Sequence, residues 1–257
     1  MAEAARIGLS GIAVTDHDTL DGIPGAAAAA SAANLRFIPG VELSVDWRGQ
    51  SMHMLVYFLE PGSGPLQDRL EELRQGRARR NERIVGLLQE CGVDIALDEV
   101  KAEAGGAVVG RPHFAAVMIR KRYAASVAEA FDRYLAAGRH AYSPRLKLTA
   151  GEAISLARAT RAVPVIAHPH TLNLRAEEYS AGFADLVDMG LGGIEAYSGE
   201  YAPELRTSLA DLCAQLGIAA TGGSDFHGTY KPHLSIGTGK GDLRVPDEAL
   251  DALVDAR

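Results

Sequence analysis

Short apolar runs alternate with helix-patterned stretches along most of this chain, and at the end of run after run sits a histidine or a carboxylate. Thr15-Asp16-His17-Asp18 follows Ile12 to Val14, Gly40-Val41-Glu42-Leu43-Ser44 closes the run that starts at Arg36, and Ala167-His168-Pro169-His170 follows Val163. Glu195 lies in the run Gly193 to Tyr197, and Ser224-Asp225-Phe226-His227 follows Ile218 to Thr221. Repeated strand–helix units imply a parallel sheet, because a parallel pair needs a crossover long enough to hold a helix. In a chain of 257 residues this favours a β/α barrel over an open doubly wound sheet. No Gly-x-Gly-x-x-Gly follows a strand to argue for a dinucleotide fold.

The helical stretches are read as Leu20 to Ala33, Thr149 to Thr160, Glu177 to Met189 and Pro203 to Leu216, the last with Leu205, Leu209, Leu212 and Leu216 on one seam. The runs Arg36 to Ser44 and His53 to Leu59 are split only by a short polar turn around Trp47-Arg48-Gly49-Gln50, which predicts an antiparallel hairpin. His53 therefore begins its run where the others end theirs, as a strand returning from the same mouth would. From residue 65 to 138 the strand pattern disappears and helix periodicity takes over, with Leu66, Leu70 and Leu73 and then Ile84, Leu87 and Leu88 on apolar faces. The expected organisation is a barrel domain of residues 1–64 and 139–257 carrying an all-helical insertion of residues 65–138. Met1 to Gly8 reads as the tail of a helix running straight into a strand, so a further segment is expected ahead of Met1.

A formal net charge of -7 and a pI near 5.6 argue against general capture of long nucleic acid, though a local basic patch could still grip a phosphorylated small molecule. No apolar stretch approaches a membrane span, and no signal-peptide core follows Glu3 and Arg6. Cys91 and Cys213 sit among apolar neighbours and read as two small buried hydrophobes rather than a disulfide or a thiolate cluster. A cytoplasmic protein is expected, and the sequence is silent on oligomeric state.

Residues at the C-terminal ends of barrel strands converge on one mouth. That would gather His17, Glu42, His168, Glu195, Asp225 and His227, with His53 entering from its hairpin. A single histidine near a strand end is more often a hydrogen-bonded side chain than a ligand, and the joint occurrence is what carries weight. Asp225 and His227 are alternate residues, which in extended backbone point the same way and could bind one metal from one side. Imidazoles and carboxylates without thiolates suit manganese, iron or zinc, and bridging carboxylates allow several ions close together. Such a site can make hydroxide at neutral pH and clamp both oxygens of a phosphoryl displacement, so hydrolysis is the natural reaction class. His140 and His233 are read as surface residues, and His170 as solvated or facing substrate.

At these residues the chain resembles the Polymerase and Histidinol Phosphatase (PHP) family, and within it the small bacterial phosphoesterases acting on nucleoside 3',5'-bisphosphates and short RNA. The resemblance rests on Thr-Asp-His-Asp at 15–18, Pro-Gly-Val-Glu-Leu-Ser at 39–44, His53, Ala-His-Pro at 167–169 and Ser-Asp-Phe-His at 224–227. It implies a distorted seven-stranded (β/α)7 barrel in which His17, Glu42, His53, His168, Asp225 and His227 hold two or three divalent ions, with manganese first and zinc or iron as alternatives. The family's first motif, a strand with His-x-His followed by an aspartate, has no counterpart here, so the expected barrel lacks its first strand. That motif is expected in frame ahead of Met1.

In the insertion, Gly110-Arg111-Pro112-His113-Phe114 resembles the segment by which these phosphoesterases present an arginine and a histidine to a substrate phosphate. By that likeness Arg111 and His113 are substrate-binding residues and His113 is also the candidate general acid, while Tyr197 and Glu195, at another strand end, are read as lining the pocket. The dense run Arg74, Arg77, Arg79, Arg80 and Arg83 is read as a solvated face in preference to a phosphate-steering one. The expected activity is metal-dependent hydrolysis, by a metal-bridging hydroxide, of a small phosphorylated nucleotide or a short RNA end. Two alternatives stay open: a C–N hydrolase of the amidohydrolase type, and an inactive remnant that binds only phosphate or metal.

Overall fold

The computed structural model describes residues 1–106, 108–172, 174, 176–228 and 231–257, with the backbone alone at 176 and 177. The strands are β1 (Gly11–Val14), β2 (Arg36–Trp47), β3 (Gln50–Tyr57), β4 (Leu148–Thr149), β5 (Val163–Ala167), β6 (Gly193–Ser198) and β7 (Ala219–Gly223). The helices are α1 (Ala2–Arg6), α2 (Ile23–Ala32), α3 (Pro65–Glu90), α4 (Leu97–Ala104), α5 (Arg111–Arg120), α6 (Val127–Ala130), α7 (Ala150–Ala159), α8 (Ala176–Asp188), α9 (Pro203–Leu216) and α10 (Glu248–Asp255). The chain divides into two compact units, residues 1–70 with 147–257, and residues 71–146. The boundary thus falls inside α3, a few residues after the expected start of the insertion at 65.

In the first unit all strands join one sheet in the order β1-β2-β3-β5-β6-β7, with β4 on β2. The pairs β1–β2, β2–β4, β5–β6 and β6–β7 are parallel, whereas β3 is antiparallel to both of its neighbours. The hairpin explains this reversal. Arg48 and Gly49 both take positive φ, 53° and 81°, the two-residue turn whose twist matches a β-hairpin. Because that turn needs only two residues, β2 runs on to Trp47, three residues beyond the expected Ser44. Its residues from Ile38 to Val45 are all buried, as expected for a strand covered on both faces.

Local signals set the helices. Thr149 accepts the Glu152 N–H while Glu152 accepts the Thr149 N–H, a reciprocal cap that starts α7 where the apolar periodicity begins. Gly217, at φ 66°, ends α9 in the left-handed conformation that favours glycine. The leucine seam of α9 is only partly apolar in fact: Leu209 and Leu212 are buried, and so is Arg206, whose guanidinium donates to Ser198 O and Asp242. Leu253 of α10 packs with Ile38, Leu55, Tyr57, Val163 and Val165 in a core on the sheet.

The second unit shows no strand among its described residues. Its core is formed by Ile84 and Leu88 of α3 with Val100, Phe114, Met118 and Leu135. Both cysteines are free, with Cys213 buried, and among the described residues no helix is long and apolar enough to cross a membrane.

Gly40 in β2 has no room for a side chain, since a Cβ there would stand 2.8 Å from the Val56 carbonyl oxygen and 3.0 Å from Thr15 Cγ2. The Gly40→Ala variant should lose about 1–3 kcal/mol of stability through this overpacking. Urea unfolding of the two proteins measures it, and an unchanged midpoint would contradict the close approach.

Candidate metal centre

Glu42 is the centre of the site. It lies in the fully buried stretch of β2, is 4% exposed, and is ringed by imidazoles. His53 Nδ1 stands 2.6 Å and His168 Nε2 3.1 Å from its Oε1, and His17 Nδ1 lies 3.7 Å from its Oε2. The sheet register delivers each of them. The Glu42 N–H donates to Asp16 O and the Asp18 N–H donates to Glu42 O, so the backbone brackets His17 against Glu42. In the hairpin Ser44 faces His53, and on the next ladder His53 faces Ala167, the residue before His168. The rings of His17 and His53 sit 5.2 Å apart, and those of His53 and His168 5.7 Å.

Two sets of donor atoms close enough to hold an ion share this carboxylate: His17, Glu42 and His53, and Glu42, His168 and Asp225. His227 stands beside them, its ring 6.2 Å from that of His17, but it joins neither set. Asp225 is not extended as expected, yet the two side chains still meet, with His227 Nδ1 3.2 Å from Asp225 Oδ1. Its φ is 50°, and His227 Nδ1 turns back to lie 2.8 Å from the Asp225 carbonyl oxygen. Asp18 and His168 also take positive φ, 54° and 46°, so three non-glycine residues at this mouth hold a conformation that L-residues rarely adopt.

Burial alone would raise the Glu42 pKa, but the bonds from His168 and His53 and the nearby His17 outweigh it and hold the carboxylate far below its usual range. His168 is pushed up to about 11: burial works against the charged ring, and the bonds to Glu195 and Glu42 overcome it. For His17 burial prevails over the pull of Glu42 and lowers the pKa. Its Nδ1 is a buried atom without a hydrogen-bond partner among the described residues. An orphaned imidazole nitrogen beside an ionised carboxylate, with oxygen and nitrogen donors and no sulfur, fits a divalent ion of the manganese–iron–zinc group.

Known proteins are similar to this chain. The chain is 32% identical over 229 residues to the 5'-3' exoribonuclease Rnm of Escherichia coli (strain K12), covering 87% of this chain and 77% of that one. A solved structure given as a metal-dependent phosphoesterase, from Bifidobacterium adolescentis, is similar with a TM-score of 0.80 and 27% identity over 98% of this chain and 88% of that one. The chain belongs to the Rnm family of metal-dependent phosphoesterases. It is also similar to the 3',5'-nucleoside bisphosphate phosphatase of Chromobacterium violaceum, 27% identical over 84% of this chain and 76% of that one. An amidohydrolase structure from Chromobacterium violaceum, with bound sulfate, matches at TM-score 0.76 and 27% identity over 88% of this chain and 80% of that one. No family model matches the chain.

Against that family membership, other expected site residues fall as follows. Tyr197 lies on β6 beside the register shift, opposite Gly222, and Tyr201, outside the expected set, donates its hydroxyl to Glu195 at 3.3 Å. Lys231, which sequence reading passed over in a polar loop, bonds to Asp225 Oδ2 and stands 3.6 Å from Glu200. The His170 ring packs edge-on against Tyr201 at 4.9 Å. His140 and His233 are exposed and pair with Glu90 and Glu200. Arg111 and His113 belong to the second unit, at the start of α5.

The raised His168 pKa makes a pH signature. Its stabilisation of the metal-free fold is complete below the ordinary histidine value of 6.5 and fades as pH rises toward about 11. With a chelator present, the thermal midpoint should fall between pH 7 and pH 10 in the wild-type chain and change less in His168→Ala. Equal slopes in the two proteins would refute the assignment.

Proposed function

We propose that this chain hydrolyses the phosphoester of a small nucleotide, a nucleoside 3',5'-bisphosphate or the phosphorylated end of a short RNA. The observation that carries the reading is one buried carboxylate, Glu42, shared by two sets of donors. In this reading His17 and His53 hold one ion with Glu42, His168 and Asp225 hold a second, and His227 completes the shell beside Asp225. When bound, the ions, manganese first and zinc or iron as alternatives, supply Lewis acidity that polarises the phosphoryl group and lets water ionise near neutral pH. Glu42, held ionised by its imidazoles, balances their charge at every pH where the enzyme works.

Within the second unit a group of arginines suits an anion. Arg80, expected on a solvated face, is 8% exposed and donates through Nε to Ser143 O at 2.8 Å. Burial first, and then the neighbouring charges of Arg111, Arg145 and Arg77, lower its pKa to about 10. Arginines gathered against their own repulsion suit an anion that neutralises them, and their forks match phosphate oxygens. Arg111 is oriented by its bond to Leu135 O at 3.1 Å and by the rings of Phe131 and Tyr142. His113 accepts the Gly110 N–H on Nδ1, so in the neutral ring the proton sits on Nε2, where it can donate a hydrogen bond to a phosphate oxygen. Burial lowers the His113 pKa, which keeps the ring neutral near pH 7. The related phosphatase and exoribonuclease act on substrates of this class by their names. An amide substrate has no use for the arginines, which weighs against C–N hydrolysis. Unpaired cysteines fit a reducing compartment, and we place the enzyme in the cytoplasm on that ground.

Phosphate release from a panel of nucleoside 3',5'-bisphosphates and short 5'-phosphorylated RNAs, with manganese and with chelator, tests the reading. Activity should require the metal, fall at least tenfold in His227→Ala, and show a raised KM in Arg80→Met and Arg111→Met, each losing a charge-assisted contact of roughly 1.5–3 kcal/mol. Metal binding without phosphate release would leave a remnant. Metal-dependent amide cleavage would make it a C–N hydrolase.

A further inference from the structure

Behind the shared carboxylate lies a second one that no ligand set includes. Glu195, on β6, is 4% exposed, and its single oxygen Oε2 meets three groups. The His168 backbone N–H donates to it at 2.9 Å, His168 Nδ1 lies 3.0 Å away, and the Tyr201 hydroxyl donates at 3.3 Å. Two of those contacts belong to one residue, and that residue is the one at φ 46°. A left-handed backbone at a non-glycine residue costs on the order of 1–3 kcal/mol and persists only where its surroundings hold it.

We infer that Glu195 is a positioning residue: it clamps the strained backbone of His168 and accepts the hydrogen bond of its Nδ1–H, so that Nε2 faces Glu42 as the ligand nitrogen. The inference rests on the metal reading above and extends it to a residue behind the ligands. Carboxylates that accept the far N–H of a metal-bound histidine fix its tautomer and orientation and raise its basicity. β6 suits the task, because its parallel pairing with β5 sets Ile194 beside Ile166, two residues before His168. Tyr201, buried at the start of the segment after β6, adds a third donor to the same oxygen. Its pKa is raised, by burial first and then by Glu195, so it stays a donor throughout the working range.

Titration with Co²⁺, followed by its visible absorption, tests this on the whole chain. Wild type should give two binding phases. Glu195→Gln keeps the shape and an acceptor oxygen but loses the charge, and should weaken one phase by about 10–100-fold while leaving the other within a few-fold. Tyr201→Phe should weaken the same phase by less. Adding Glu195→Gln to His168→Ala should cost no further affinity, a non-additivity that a general loss of fold would not produce. Circular dichroism of each variant, taken below its unfolding temperature, must match wild type, and Glu195→Asp serves as a second probe if Glu195→Gln unfolds. A wild type that binds no Co²⁺ overturns the metal reading and this inference with it. Wild-type binding that Glu195→Gln leaves untouched, or equal extra loss in both backgrounds, overturns this inference alone.

Discussion

A carboxylate buried at the middle of a strand is costly unless something compensates it, and at Glu42 the compensation comes from three imidazoles carried by three other segments. Much of the geometry of the first unit serves that arrangement. The loop after β1 has to run alongside β2 as far as Glu42. β3 has to enter antiparallel so that His53 arrives at the same height, and β5 has to end one residue before His168. A slip of one residue in any of these ladders would turn an imidazole to the other face and leave the carboxylate buried without its partners.

The same economy governs the backbone at the mouth. Asp18, His168 and Asp225 hold left-handed conformations at the points where a strand gives way to a loop. His168 and Asp225 thereby bring their side chains to the cluster instead of alternating as an extended chain would. That strain is tolerable because neighbouring hydrogen bonds over-determine it: the Asp18 N–H on Glu42 O, and the His168 N–H on Glu195. The charge pattern is equally mutual. Glu42 stays ionised because of the histidines, and His168 stays protonated in the absence of metal because of Glu42 and Glu195. Such a cluster exchanges protons for metal at little electrostatic cost.

The second unit solves the opposite problem. Its buried arginine has like charges for neighbours, and a backbone carbonyl satisfies its Nε. In a chain with an overall negative charge, this local concentration of guanidinium groups is a feature of composition by position, which the net charge of -7 conceals.

The sequence by itself determined the alternation of strands and helices, the hairpin, and the gathering of His17, Glu42, His53, His168 and Asp225. These follow from periodicities of two and 3.6 and from turn chemistry, which are local properties of a chain. It misjudged what depends on contacts between segments distant in sequence. Arg80 looked like one of five solvated arginines because helix periodicity does not say which charged residue a later loop will cover. Tyr201 offers no sequence signal of its own, and only the fold brings its hydroxyl to Glu195. Asp225 and His227 do meet, but through a left-handed Asp225 that alternation in extended backbone does not foresee. Lys231 carries no periodic signal at all, and only the folded loop brings its ammonium to Asp225. Local propensities are written residue by residue, but desolvation and charge pairing depend on distances in space, and those only the tertiary structure decides.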